Sequence, residues 1–171
     1  MTELATPPNE QREGLTRITH WIGGKPVRGA SGRTGPVFNP ALGQQSGEVD
    51  LATTEEVGAA VAAAKAAFPA WRATSLAKRA ELLFRIRELV HERREEVARI
   101  LTAEHGKVLS DAMGEVTRGL EVIEFACGIP QLLKGEVTEN VGAAVDSHSL
   151  RQPLGVVAGI TPFNFPAMVP L

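Results

Sequence analysis

The chain contains no tyrosine, and Phe and Trp together make up only 5% of its 171 residues. A platform of aromatic rings on which single-stranded bases could stack is therefore excluded. An excess of basic residues is also missing: Lys and Arg number 18 against 20 Asp and Glu, for a formal net charge of −2. That balance lacks the electrostatic footprint of a nucleic-acid binder. One cysteine is present, which rules out an internal disulfide framework and a cysteine-cluster zinc site. No window reaches the roughly 18 consecutive apolar residues of a membrane span. The start, MTELATPPNEQREGL, has neither the positive, apolar build of a secretory leader nor the Arg-rich, acid-poor build of a mitochondrial one. A flexible tail over 1–16 and a cytoplasmic setting, with no nucleic-acid or membrane partner, are the resulting expectations. Phosphate-loop and dinucleotide glycine motifs are missing, as are H-E-x-x-H and any carboxylate cluster at metal spacing, so no metal is expected.

What remains has the composition of an ordinary globular protein, 43% apolar and 22% charged, at a length that suits one domain. Ile18, His20 and Ile22 alternate with Thr19 and Trp21, Gly23-Gly24 follows, and Lys25-Pro26-Val27 resumes, which predicts a β-hairpin. Val37-Phe38 and Ser46 to Val49 predict further short extended pieces. Thr53 and Glu56 form a capping box for a first helix, along which Val57, Ala60, Val61, Ala64 and Phe68 recur and which Pro69 is expected to end. Ser75 is placed to cap a second helix with Leu76, Ala80, Leu83, Ile86 and Val90 on one face. A bend near 92–95 and a stop at Gly106 in the left-handed cap position are expected. Ser110 is read as the cap of a third helix, whose stripe is Met113, Val116, Leu120, Ile123 and Cys127. Glu136 to Arg151 is polar, with Gly142-Ala143-Ala144 interrupting it, and Val145 to Arg151 reads as a half-exposed strand. The continuous run Gly155 to Ile160 predicts a strand buried on both faces of a parallel sheet.

Few residues offer chemistry. Cys127 shares the apolar stripe of its helix, where a buried thiol is normally inert. His20, His91, His105 and His148 are scattered, and His91 and His105 read as exposed helix histidines. The turn Thr161-Pro162-Phe163-Asn164-Phe165-Pro166 is the informative segment. In open α/β sheets ligands bind beyond the carboxyl ends of strands, and two prolines would fix the backbone on either side of Asn164. A rigid amide there could donate to a developing oxyanion, or it could instead cap the next helix; the pattern leaves both open. Arg118 lies off the apolar stripe. It could grip a carboxylate through two parallel hydrogen bonds, or pair at the surface with Glu115 and Glu121.

The stretches ITHWIGGKPV, VFNPALGQQSGEVDLATTEEVGAAVAAAKAAFPAW, SLAKRAELLFRIRELV and EHGK resemble the N-terminal part of the aldehyde dehydrogenase superfamily. EVTRGLEVIEFACGIPQLLKGE and RQPLGVVAGITPFNFPAMVPL resemble its CoA-acylating, methylmalonate-semialdehyde dehydrogenase branch. The resemblance runs from about Arg17 to Leu171. It implies an α/β fold: the N-terminal part of the aldehyde dehydrogenase fold, truncated, with a β-hairpin, helices, oligomerisation strands and the first strand of a Rossmann-like NAD-binding sheet. Residues 17–135 would belong to the NAD-binding domain, 136–153 to oligomerisation strands, and 154–171 to the first sheet strand and its active-site turn, with the catalytic domain absent.

The resemblance further implies that Asn164 stabilises the oxyanion, that Thr161 and Phe163 line the NAD site, and that Arg118 holds the carboxylate of a semialdehyde. The reaction it implies adds a cysteine thiolate to the aldehyde and delivers hydride to NAD. Carbon dioxide is then lost, and the acyl group passes to CoA as propionyl-CoA or acetyl-CoA. The nucleophilic Cys and general-base Glu of the family would come after Leu171, so the chain alone is expected to be inactive, to fold weakly, and to correspond to a homo-oligomeric enzyme's first third. Two other classes compete: a truncated paralogue that joins a full-length dehydrogenase through 136–153, and a free-standing thiol enzyme using Cys127.

Overall fold

The structure, a computed structural model, describes residues 15–171. The expected tail over 1–16 therefore lies almost entirely outside the described residues. The chain opens with β1 (Thr16–Ile18), β2 (His20–Ile22), β3 (Lys25–Val27), β4 (Thr34–Asn39) and β5 (Gln44–Asp50). β2 and β3 form the expected hairpin, with Trp21 opposite Pro26. Gly23 and Gly24 turn it at φ of +62° and +78°, which a side chain would resist. β5 is the middle strand of a separate three-stranded sheet, parallel to β1 and antiparallel to β4.

Two carboxylates lace this region together, and one of them ties it to the first helix. Asp50 is buried and receives Arg17 Nε at 2.9 Å and the Gly29 amide at 2.7 Å. The Gly29 amide, with Arg17 beside it, holds the Asp50 carboxyl below its ordinary value against the opposing effect of burial. Glu56 completes the capping box with Thr53 and also accepts from the Ala30 amide at 2.7 Å. One side chain thus caps α1 (Thr54–Ala73) and pins the loop before β4.

Pro69 does not end α1, which runs on through Ala73. Its last turn is held from outside. Arg79 donates to the carbonyls of Thr74 and Arg72 at 3.0 Å each and lies 5.6 Å from the centre of the Trp71 ring. Those contacts satisfy carbonyls that a helix end otherwise leaves free. Ser75 caps α2 (Leu76–Glu92) by accepting from the Lys78 amide. The expected bend is a break at Arg93, and α3 (Arg94–His105) stops at Gly106 with φ of +88°. His105, expected exposed, is half-buried. α4 (Leu109–Ala126) starts two residues earlier than expected: Val108 holds the cap position, and Ser110 lies inside the first turn.

The core sits between α3 and α4. Ala98, Leu101, Ala112 and Val116 are buried together, with Val90 of α2 and Ala167 packed against them. Leu120, Ile123 and Cys127 extend the stripe along α4, as its spacing predicts. After the short α5 (Ile129–Leu132), β6 (Val137–Gly142) and β7 (Val145–His148) make an antiparallel hairpin that is exposed along its whole length.

The run 155–160 forms no strand. Val157 is 74% exposed and Ile160 fully so. A strand of a parallel sheet exists only through its neighbours, and among the described residues none lies alongside it. An apolar sequence can ask for burial but cannot supply the partner.

Candidate functional site

The residues from 161 onward return to the helices, and a buried ion pair brings them there. Glu115 is on α4, one position before Val116, and its side chain is 1% exposed. A carboxylate that deep requires partners for both oxygens. One oxygen takes two successive backbone amides, Ala167 at 2.7 Å and Met168 at 3.2 Å. The other receives Lys107, from the link between α3 and α4, at 2.5 Å. Lys107 is itself only 13% exposed. It donates a second bond to the backbone carbonyl of Asn164 at 3.0 Å, and its ammonium lies 5.0 Å from the centre of the Phe165 ring. Burial raises the Glu115 pKa, but the Lys107 bond and the two amides outweigh it and leave the carboxyl below its ordinary value.

Asn164 is exposed, and Lys107 grips its backbone rather than its side-chain amide. The capping alternative for Asn164 is not realised. No helix is assigned after it, although the Val169 and Leu171 amides turn back to the carbonyls of Phe165 and Ala167 at 3.4 and 3.3 Å. The first amide such a cap could reach is that of Ala167, because Pro166 has none, and Glu115 already occupies it. Leu171 at the far end of this turn rests on Gly119, where a side-chain carbon would come within 2.6 Å of it.

The other sequence-predicted residues are disposed around this turn. Arg118 is exposed on α4, one turn beyond Glu115. Among the described residues it enters no ion pair: of its two expected surface partners, Glu115 is buried and engaged with Lys107, and Glu121 is exposed and unpaired with it. Thr161 is exposed, and Phe163 is 86% exposed. Phe163 also lines an apolar cavity of about 920 Å³, with Phe38, Ile100, Leu101, Pro166 and Leu171. The structure therefore ties Asn164 and Arg118 to one helix and leaves Thr161 and Phe163 on an accessible edge. That edge presents the Thr161 hydroxyl and the Phe163 ring to solvent. Cys127 is buried at the end of α4, in keeping with the stripe and at odds with a free-standing thiol enzyme. Among the described residues there is no group of three His, Cys, Asp or Glu side chains that could hold a metal ion. Among the same residues no helix is long and apolar enough to cross a membrane.

Lys107 and Glu115 were not singled out by the sequence reading. A signal was present. On α4 the buried positions are Ala112, Glu115, Val116, Gly119, Leu120 and Ile123, so Glu115 falls in phase with the apolar stripe. An acid on the inward face of a helix announces a buried partner.

Comparison with known proteins bears on the chain as a whole. The aldehyde dehydrogenase family model matches residues 27–171. A malonate-semialdehyde dehydrogenase of Pseudomonas aeruginosa is 50% identical over 154 residues, which cover 90% of this chain and 31% of that protein. An acylating, mitochondrial methylmalonate-semialdehyde dehydrogenase of Arabidopsis thaliana is 45% identical over 98% of this chain and 28% of its own length. A solved structure assigned to methylmalonate-semialdehyde dehydrogenase of Sinorhizobium meliloti, complexed with NAD, superposes with a TM-score of 0.88. It is 47% identical, and the match covers 93% of this chain and 32% of that one. The chain thus spans about a third of the length of the relatives it matches.

Proposed function

The chain belongs to the aldehyde dehydrogenase family, and from that premise we propose that it supplies the oxyanion-donor third of an NAD-dependent, CoA-acylating malonate or methylmalonate semialdehyde dehydrogenase. The observation that carries this reading is the fastening of the Asn164 turn to α4, the helix that also bears Arg118. With its capping duty taken by Glu115, the Asn164 amide is free to donate to an oxygen that gains negative charge as the aldehyde is attacked. Arg118, unpaired with Glu115, is free to take the carboxylate of the semialdehyde in a two-point grip. Thr161 and Phe163 would line one side of an NAD site, and NAD supplies the acceptor for hydride when bound. CoA is the expected acyl acceptor, with acetyl-CoA or propionyl-CoA and carbon dioxide as products. We place the nucleophilic Cys and the general-base Glu in the two thirds of the relatives that this chain does not match. The 171 residues by themselves are then expected to form no NADH. The working enzyme is read as a cytoplasmic homo-oligomer.

The test joins this chain to the unmatched remainder of the Pseudomonas aeruginosa relative. The joined protein should form NADH from malonate semialdehyde only when CoA is present to release the acyl group. A folded joined protein that oxidises propanal but not malonate semialdehyde would refute the substrate assignment. In that protein Arg118→Leu should lower kcat/KM for malonate semialdehyde by about tenfold to a hundredfold, the worth of a charge-assisted pair, and leave propanal nearly unchanged. Equal losses on both aldehydes would remove the carboxylate role.

The fully exposed β6–β7 hairpin favours a second reading, a non-catalytic partner that adds its strand edges to a full-length dehydrogenase. Co-purification with such a dehydrogenase at fixed stoichiometry, without gain of activity, would favour that reading over the first.

A further inference from the structure

The Lys107–Glu115 pair does more than satisfy itself. A solvated pair could use its bonds on water, yet here three of them go to the backbone of one short turn: Lys107 to the Asn164 carbonyl, Glu115 to the Ala167 and Met168 amides. All three atoms lie in the stretch that begins at Asn164 and runs to Met168, so the backbone that follows the Asn164 side chain is held. The amide of Ala167 is also the first atom that Asn164 would reach if it capped the turn itself, since Pro166 offers no donor. A helix-bound carboxylate that occupies that amide keeps the Asn164 side chain from closing on its own backbone. Separation in sequence makes the arrangement costly to assemble: Glu115 and Ala167 are 52 positions apart. Local capping by Asn164 would have needed no such loop closure.

We propose that Lys107 and Glu115 are positioning residues that take the capping duty away from Asn164 and hold its amide outward. The proposal rests on the reading that Asn164 is an oxyanion donor, but the clamp is a property of the ground-state turn and is judged without NAD or aldehyde. The buried Glu115 touches no reacting atom in this assignment; it acts through the turn.

The experiment is amide hydrogen exchange, residue by residue, on the full 171-residue chain. In the wild type the Ala167 and Met168 amides should be protected, and Asn164→Ala should leave that protection within about twofold, because Asn164 is not the cap. Glu115→Ala should lower protection at both amides by about tenfold or more, the loss expected for a charge-assisted bond. In the Glu115→Ala background, adding Asn164→Ala should lower Ala167 protection again, because the freed Asn164 would have taken over the cap. Lys107→Met should weaken protection at Ala167 and Met168, and Lys107→Arg should restore it. The Leu120 amide in α4 should change by no more than the loss of global stability read from urea unfolding of the same variant, which separates the clamp from further loosening of the helix. Random-coil exchange at Ala167 and Met168 in the wild type would overturn the proposal. So would a wild-type background in which Asn164→Ala removes as much protection as Glu115→Ala, or a Lys107→Arg no better than Lys107→Met. Protected amides together with full turnover of an Asn164→Ala joined enzyme would instead refute the oxyanion reading and leave the clamp standing.

Discussion

Two apolar stretches of this chain meet opposite fates. Along α4, Val116, Leu120 and Ile123 are at most 5% exposed, packed among α2, α3 and the returning turn. Between 154 and 160, Leu154, Val157 and Ile160 are 93%, 74% and 102% exposed. Their hydrophobicity is alike. The difference lies in where the partners come from. An amphipathic helix hydrogen-bonds itself and needs only a neighbour for its stripe, which α3 provides nearby in sequence. A strand of a parallel sheet needs other strands for its backbone as well as its side chains. The contrast teaches that among the described residues the α4 stripe finds its partners and the 154–160 segment does not.

The largest expected effect sharpens that contrast directly. Leu120→Ala should cost about 2–5 kcal/mol of stability in urea unfolding, as for other buried leucines. Ile160→Ala, at an exposed site with no packing to lose, should stay within about 0.5 kcal/mol. A matching loss at both positions would mean that 154–160 is buried in solution.

Next in size is the clamp that bridges the two regions. Lys107→Met should cost about 1–3 kcal/mol, because it leaves the buried Glu115 short of a partner. The same group sets an acid dependence. Glu115, Asp50 and Glu56 all titrate below their ordinary values of 4.5, 3.8 and 4.5. On acidification the unfolded chain takes up protons first. The stabilisation is therefore complete above those ordinary values and is lost as pH falls through the lowered ones. Glu115→Gln should flatten part of that acid slope in unfolding curves collected from pH 6 downward, a range of about three units that spans these carboxylates. An unchanged slope would show that Glu115 is not ionised in its buried place.

A smaller effect belongs to the capping box. Thr53→Ala should cost about 1 kcal/mol and loosen the start of α1. Because Glu56 also holds the Ala30 amide, exchange at Ala30 should rise in Glu56→Ala but not in Thr53→Ala. Equal rises in both variants would show that the cap and the loop are one unit.

Local rules were readable where the chain obeys them locally. The Gly23-Gly24 hairpin, the Thr53–Glu56 box, the Ser75 cap, the Gly106 stop and the α4 stripe all stand as their spacing predicts. What local spacing left open or misjudged turns on residues elsewhere in the chain. α1 runs on past Pro69, and Arg79 from α2 holds the carbonyls at its end. Asn164 is no cap because Glu115 comes across from α4. Gly155 to Ile160 forms no strand because a sheet neighbour is not beside it. The site residues were legible as chemistry, an amide and a guanidinium, and the family resemblance gave them roles. The pair that binds the turn was hidden because its two members look like ordinary surface charges until the phase of the helix is counted.

The most direct measurement of the account is steady-state turnover of Asn164→Ala in the protein joined to the remainder of the Pseudomonas aeruginosa relative. Loss of a well-placed oxyanion donor should lower kcat by about 10²–10³ while NAD binding, followed by fluorescence titration, is unchanged. A kcat equal to that of the unaltered joined protein, with NAD bound as before, would contradict the claim that this turn exists to hold that amide.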